Sequence, residues 1–293
     1  MVSLSCGFVW FRVISCDFVD RFLDVGNADL RKSHQEHTKT AFNVQSPMSN
    51  VKSSVPVSRP FEPLCFAFSF PVCYSFLRMA APPLKDSFTS REWNLIQSLN
   101  TPAKVQRFFS TMPYNWEAKG GTLRSFREVV RRNEAHCLEA AIAAAVILEQ
   151  HGYPPLLLDL ASKDLLDHVV FVFRQNGRWG SIARSRDIGL HGRRPVFRSL
   201  RDLTWSYFDP YVDFSGRIVG YAQANLYDLG NYDWRFSSRR MRRIEDYLRD
   251  LPHRALPSSD TRYAKLLGRY HEYKKRHPDR SPSYYENREQ WML

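Results

Sequence analysis

The sequence predicts an α+β domain: N-terminal helices, then a buried cysteine-bearing helix packed on an antiparallel β-sheet. Three observations carry that expectation. From Cys137 to Gln150, Leu138, the alanine-rich stretch Ala140 to Ala145, Val146, Ile147 and Leu148 leave almost no polar face. A helix apolar nearly all round belongs inside a core. Three β-like segments follow it, Leu156 to Leu160, His168 to Arg174 and Arg178 to Ala183. Between the last two stands Asn176-Gly177, the dipeptide that favours a two-residue hairpin and so antiparallel pairing.

The other elements follow from local signals. Ser90 to Leu99 reads as a short helix, with Ser90 as its cap ahead of Trp93 and Ile96. Thr101-Pro102 opens a second helix with proline at its first position, running through Val105, Phe108 and Phe109. Met112-Pro-Tyr-Asn-Trp breaks it, and Phe126, Val129 and Val130 give Leu123 to Arg132 helical spacing. Gly152 and Pro154-Pro155 stop the central helix. Val196 and Phe197 begin a further strand, and Trp205, Tyr207 and Phe208 cluster within Leu200 to Tyr211. The domain is expected to span residues 79–224.

Beyond Ala224 a basic helical extension is expected over residues 225–293. Arg239, Arg240, Arg242 and Arg243 open one helix and Lys274, Lys275 and Arg276 close another, while Pro278 to Leu293 is expected to fray. Residues 1–78 read differently, as a disordered or non-native extension ahead of Met79. Arg12, Asp17, Asp20 and Arg21 interrupt the first apolar run, and Leu64 to Leu77 is too short to span a bilayer.

Hydrophobic residues make up 43% of the 293, enough for a sizeable core. The net charge of +12 suits an acidic partner and says nothing about chemistry. Four of the five cysteines precede Met79 and none forms a CxxC pair, so neither a disulfide framework nor a zinc site is expected. A reducing, cytoplasmic setting fits, and no cofactor is called for.

Cys137 opens the buried helix, where the unpaired N–H groups and the positive end of the helix stabilise a thiolate. His168 begins the strand HVVFVFR. A Cys–His pair is the minimum for nucleophilic acyl transfer, the imidazole serving as base and then acid. By composition alone, a cysteine in an Ala-rich helix is more often a small core residue. The order of elements changes that balance. From Arg124 to Ser185 the chain resembles the core of the transglutaminase-like superfamily, a papain-related cysteine enzyme fold, in its bacterial type. In that family a cysteine begins a long buried helix ending near a Gly-x-Pro turn. A strand follows, then a strand opened by the catalytic histidine, then a hairpin into a Trp-containing strand that carries the catalytic aspartate.

The resemblance implies that Cys137 and His168 act through a thioester on a peptide, amide or ester. It also implies an aspartate in a W-x-x-x-D pattern, and that place, counted from Trp179, is Ala183. Ser181, Ser185 and Asp187 are the candidates to orient the imidazole instead, with Asp209 and Asp213 as more distant ones. The competing expectation is a fold kept without the chemistry, a binding or scaffold module.

Other polar residues receive plainer expectations. Glu139 complements the helix dipole in the first turn, and His136 is expected to point away from Cys137 and not to act as the base. Asp167 should face the opposite side of the strand from His168. Arg184, Arg186, Arg193, Arg194 and Arg198 read as a solvated loop that could also bind an acidic substrate, and His191 has no partner spacing for a metal. Tyr247, Tyr263, Tyr270 and Tyr273, interleaved with basic residues, suit either a packing face or a nucleic-acid surface.

Overall fold

A computed structural model describes residues 81–118 and 120–293. The expectations for residues 1–78 lie outside the described residues. The elements run α1 (Ser90–Ser98), α2 (Pro102–Thr111), α3 (Phe126–Arg132), α4 (Cys137–Glu149), β1 (Leu156–Ser162), β2 (His168–Gln175), β3 (Arg178–Ile182) and β4 (Arg193–Phe197). There follow α5 (Leu200–Tyr211), β5 (Ile218–Asn225), α6 (Arg242–Asp250), β6 (Arg254–Ala255), α7 (Asp260–Arg276) and α8 (Arg288–Trp291). The fold class is α+β, and every strand pairing in the six-stranded sheet is antiparallel.

Sheet order is β4-β3-β2-β1-β5-β6, so β1 and β2 lie at the centre. Both faces of these strands are buried, which explains why β1 reads as an apolar run and not as an alternation. Leu157, Val169, Phe171 and Phe173 face a cluster built with α4 and with apolar residues of α1, α2, α3 and α6. Leu158, Leu160, Val170 and Val172 face the other way, onto Leu203, Tyr207 and Phe208 of α5 and Leu266 of α7. The sheet is therefore the middle of three layers. No helix among the described residues is long and apolar enough to cross a membrane.

Local chemistry sets the helix ends. Thr89, not Ser90, caps α1, its side chain accepting from the Glu92 N–H while Glu92 accepts from the Thr89 N–H. Thr101 and Ser125 cap α2 and α3 by accepting from the N–H groups of Lys104 and Glu128. The turn between β2 and β3 places Asn176 at φ 48° and Gly177 at φ 73°, the left-handed pair that the dipeptide announced.

The region after Ala224 contributes to both apolar layers. Trp234, Met241, Ile244 and Leu248 are buried in the α4 cluster, and Leu256 and Leu266 in the α5 cluster. The last residues are tied down where fraying was expected. The Leu293 N–H donates to Gly192 O at 3.1 Å, and Met292 forms an antiparallel bridge with Arg193.

Candidate active site

All thirteen residues of α4 are buried, Glu139 and Glu149 included. Cys137 is its first residue and is 1% exposed. The chain returns from α4 through Gly152 into β1, which packs against the helix, so β1 ends and β2 begins beside the helix N-terminus. That path follows from the lengths alone, about 1.5 Å per residue in the helix and about 3.3 Å in the strand. It brings His168 to the same end of the sheet as Cys137.

His168 lies on the α5 side of the strand alternation. Its ring packs edge-on against Tyr207 at 5.7 Å, and its Nε2 lies 3.0 Å from Leu190 O. A carbonyl only accepts, so Nε2 carries the proton and Nδ1 the lone pair. Nδ1 is buried and has no hydrogen-bond partner. No hydrogen bond joins His168 to Cys137; the orienting partner of the imidazole is a backbone carbonyl.

The three candidates for that orienting role are engaged elsewhere. Ser181 Oγ pairs with Tyr207 Oη at 2.7 Å and accepts from the Arg193 N–H. Ser185 Oγ accepts from the Asp187 N–H at 3.2 Å, and the Asp187 carboxylate lies 3.8 Å from Arg186. Asp209 pairs with Arg262, while Asp213 accepts from the N–H groups of Ser215 and Gly216. Ala183, at the place of the family aspartate, is gripped by Gln106: its N–H donates to Oε1 and its carbonyl accepts from Nε2, each at 2.9 Å. Asp167, one residue before β2, accepts at Oδ1 from the Ser162 N–H at 2.8 Å.

His136 departs most from expectation. It is the N-cap residue, with extended backbone (φ −88°, ψ −178°), so the helical rule separating neighbours does not apply to it. Its ring is 2% exposed, and neither ring nitrogen has a hydrogen-bond partner. Nε2 also lies 3.5 Å from Glu139 Oε1 and 3.7 Å from Glu117 Oε1. Burial opposes the charged ring, but Glu139, Cys137 and Glu117 together outweigh it, and the pKa is pushed up from 6.5 to about 10.

Glu139 is more than a dipole complement. It is fully buried and accepts from Asn115 Nδ2 (3.0 Å), Thr122 Oγ1 (2.8 Å), the Arg124 N–H (3.0 Å) and the His136 N–H (3.2 Å). Glu117 accepts from the Thr122 N–H at 2.5 Å. Sequence reasoning missed this hub because its members are spread over loops. The available signal was Glu139 at the third helical position after His136, the spacing of a capping box.

The arginine loop is less solvated than expected. Arg193 is fully buried, donates to the carbonyls of His191, Gly189 and Ser206, and lies 3.8 Å over the Tyr207 ring. Burial lowers its pKa to about 10. His191 is driven down to about 4, first by burial and then by Arg184, His168 and Arg193, against the upward pull of Ser185 O. Tyr247, Tyr263, Tyr270 and Tyr273 are used internally: Tyr247 on Asp228, Tyr263 on Asp213 O, Tyr270 on Phe214 and Tyr273 on Ser281 O.

No family model matches the chain, and no curated protein matches it. Among solved structures, that of Legionella pneumophila LapG is similar, at 16% identity and a TM-score of 0.31, over 50% of this chain and 89% of LapG. A likeness at that level leaves the activity to be argued from this chain's own residues.

Proposed function

We propose that the protein is a cysteine-dependent hydrolase or acyl transferase that acts on an amide or ester carbonyl through Cys137. What supports the reading is the presence of two reactive groups near one end of the sheet, one on its α4 side and one on its α5 side. One is a thiol at the first position of a buried helix; the other is a buried imidazole whose Nδ1 lone pair is unpartnered. In this reading the Cys137 thiolate attacks the carbonyl carbon, the C–S bond forms, and the bond to the leaving group breaks. The leaving group takes the proton that the thiol surrendered on ionising. Water then attacks the thioester, His168 Nδ1 accepts its proton, and the C–S bond breaks to restore the thiolate. Leu190 O, by accepting from Nε2, fixes the tautomer that leaves Nδ1 basic.

The test is acylation of the full chain by a panel of activated esters, read as a hydroxylamine-labile mass increase on the Cys137 peptide. Cys137→Ser should abolish the adduct, and His168→Ala should leave it formed but slow to hydrolyse. Turnover that survives Cys137→Ser would refute the proposal. A second reading, a binding module on the same fold, is favoured by the near-complete burial of Cys137 and by Ala183 in place of a carboxylate. It predicts no adduct with any ester in the panel.

A further inference from the structure

Resting on the reading of His168 as the base of the water-dependent step, we infer that Arg193 is the positioning residue that fixes the His168 ring. It acts through the Leu190 carbonyl and touches no reacting atom. Ala183 stands where the resemblance places an orienting aspartate. In its stead a buried guanidinium holds a backbone carbonyl against the imidazole.

Three successive carbonyls carry the argument. Leu190 O accepts from His168 Nε2 at 3.0 Å. The carbonyls on either side belong to Gly189 and His191, and Arg193 takes both, Nη2 to Gly189 O at 2.7 Å and Nη1 to His191 O at 2.5 Å. Tyr207 Oη is a second donor to His191 O, at 3.1 Å. With both neighbours held, the Leu190 peptide has little freedom to swing its oxygen away from the imidazole. The grip is anchored to regular elements. Arg193 Nε donates to Ser206 Oγ at 3.0 Å and Nη2 to Ser206 O at 3.1 Å, both on α5, while the Arg193 N–H donates to Ser181 Oγ on β3 at 3.1 Å. The guanidinium lies 3.8 Å from the Tyr207 ring and 4.6 Å from the Trp291 ring. The backbone beside it is equally confined: a Cβ on Gly189 would stand 2.5 Å from the Tyr285 ring, and one on Gly192 2.5 Å from Ser181 O. Arg193 is fully buried, yet the acceptors it meets are carbonyls and a hydroxyl, none a carboxylate. A charge is costly to bury without a counter-charge. What a guanidinium supplies in return is a planar fork of donors at fixed separation, which a single ammonium cannot match.

The experiment reads which ring nitrogen of His168 carries the proton, by long-range proton–nitrogen NMR correlation in the full chain labelled at histidine. The spectrum of His168→Asn identifies its signals among the nine histidines. The wild type should show the proton on Nε2 and a bare Nδ1. Arg193→Lys keeps the charge but cannot hold both carbonyls, and should lower the ratio of the Nε2–H to the Nδ1–H form by about fivefold, the effect of one weakened hydrogen bond. Tyr207→Phe, which keeps the ring and removes the second donor to His191 O, should lower it by less. Arg194→Met, at a neighbouring side chain that bonds Met292 O instead, should leave it in place. A folded Arg193→Lys with the wild-type ratio, or a wild-type proton on Nδ1, overturns the inference. Should Arg193→Lys fail to fold, an unmoved ratio in Tyr207→Phe overturns it. The ring is read without substrate, so the result stands apart from the ester test above. Hydrolysis of the Cys137 adduct should slow wherever the ratio falls; hydrolysis unchanged in such a variant would refute His168 as the base and leave the hold of Arg193 on the ring standing.

Discussion

Glu149 ends α4 with its carboxylate beside the unpaired carbonyls of a helix C-terminus and out of contact with water. Burial raises its pKa above the ordinary 4.5, while Arg235 and Tyr227 pull against that rise. Arg235 reaches it as a fork, Nε to Oε1 at 2.7 Å and Nη2 to Oε2 at 2.8 Å, and its guanidinium rests 3.9 Å over the Trp234 ring. Arg235→Ala removes both bonds and strands the carboxylate at the wrong pole of the helix dipole. Breaking such a buried pair costs about 3–5 kcal/mol. For a domain of this size about 2–4 °C of Tm goes with each kcal/mol, so a fall of roughly 6–20 °C is expected. The sign with pH follows from the raised pKa. The folded state holds the Glu149 proton more tightly than the unfolded state, so its contribution to stability worsens as pH rises through the folded pKa. Removing Arg235 raises that pKa further, so the gap between variant and wild type should be small near pH 4 and wide at pH 7. Thermal melts of both proteins at the two pH values check this. A Tm within about 2 °C of wild type at pH 7, or a gap wider at pH 4, would refute the reasoning. The double variant Glu149→Leu with Arg235→Met should recover most of the loss, since apolar replacement of a buried pair is often neutral or better.

Two further expectations concern the site. The folded pKa of His136 is raised from 6.5 to about 10, so its contribution is fully present below 6.5 and lost as pH rises toward 10. In Cys137→Ser, which removes the sulfur's part of that rise and keeps those of Glu139 and Glu117, urea midpoints should fall from pH 6.5 upward over a narrower window, and adding His136→Asn should flatten the decline. An equal slope in both proteins would count against it. Gln106→Ala removes the amide that serves both backbone groups of Ala183, leaving a buried N–H and C=O unmatched. The expected loss is on the order of 2–4 kcal/mol, read as a lower urea midpoint, and a loss under about 0.5 kcal/mol would mean that water replaces the side chain.

The central architecture was legible because its signals are local: the all-apolar α4, the Asn176-Gly177 turn and the proline at the first position of α2. The strand β5 escaped notice although it pairs with β1 along its whole length. Its sequence, Ile-Val-Gly-Tyr-Ala-Gln-Ala-Asn, has small residues where branched ones would announce a strand, and pairing with β1 supplies what propensity does not. The same holds for the site. Element order puts Cys137 and His168 forward as candidates, but the environment of each depends on long-range contacts. His168 meets Leu190 O, Glu139 meets Asn115 and Thr122, and Ala183 meets Gln106, and no spacing rule links those positions. His136 stands one position outside the helix, so the helical rule does not decide where its ring points.

The polar groups on α4 answer a problem that its composition creates. A helix buried on every side, with Ala140, Ala141, Ala143, Ala144 and Ala145 among its residues, has no apolar stripe to fix its rotation or its position along its axis. Apolar contacts of similar size can be exchanged by turning or sliding such a helix. Two buried carboxylates remove that freedom. Glu139 at one end accepts four donors from the 115–124 segment and the helix cap, and Glu149 at the other is forked by Arg235. Each contributes little net stability, as buried ionic groups do when compared with apolar replacements, and each specifies geometry. The consequence is functional, because the position of α4 along its axis decides where Cys137 lies relative to the end of the sheet that carries His168. The double variant Glu149→Leu with Arg235→Met separates the two effects: it should keep most of the wild-type Tm while lowering the rate at which an activated ester acylates Cys137. A variant that recovers stability and leaves that rate untouched would show that the Glu139 hub alone sets the register.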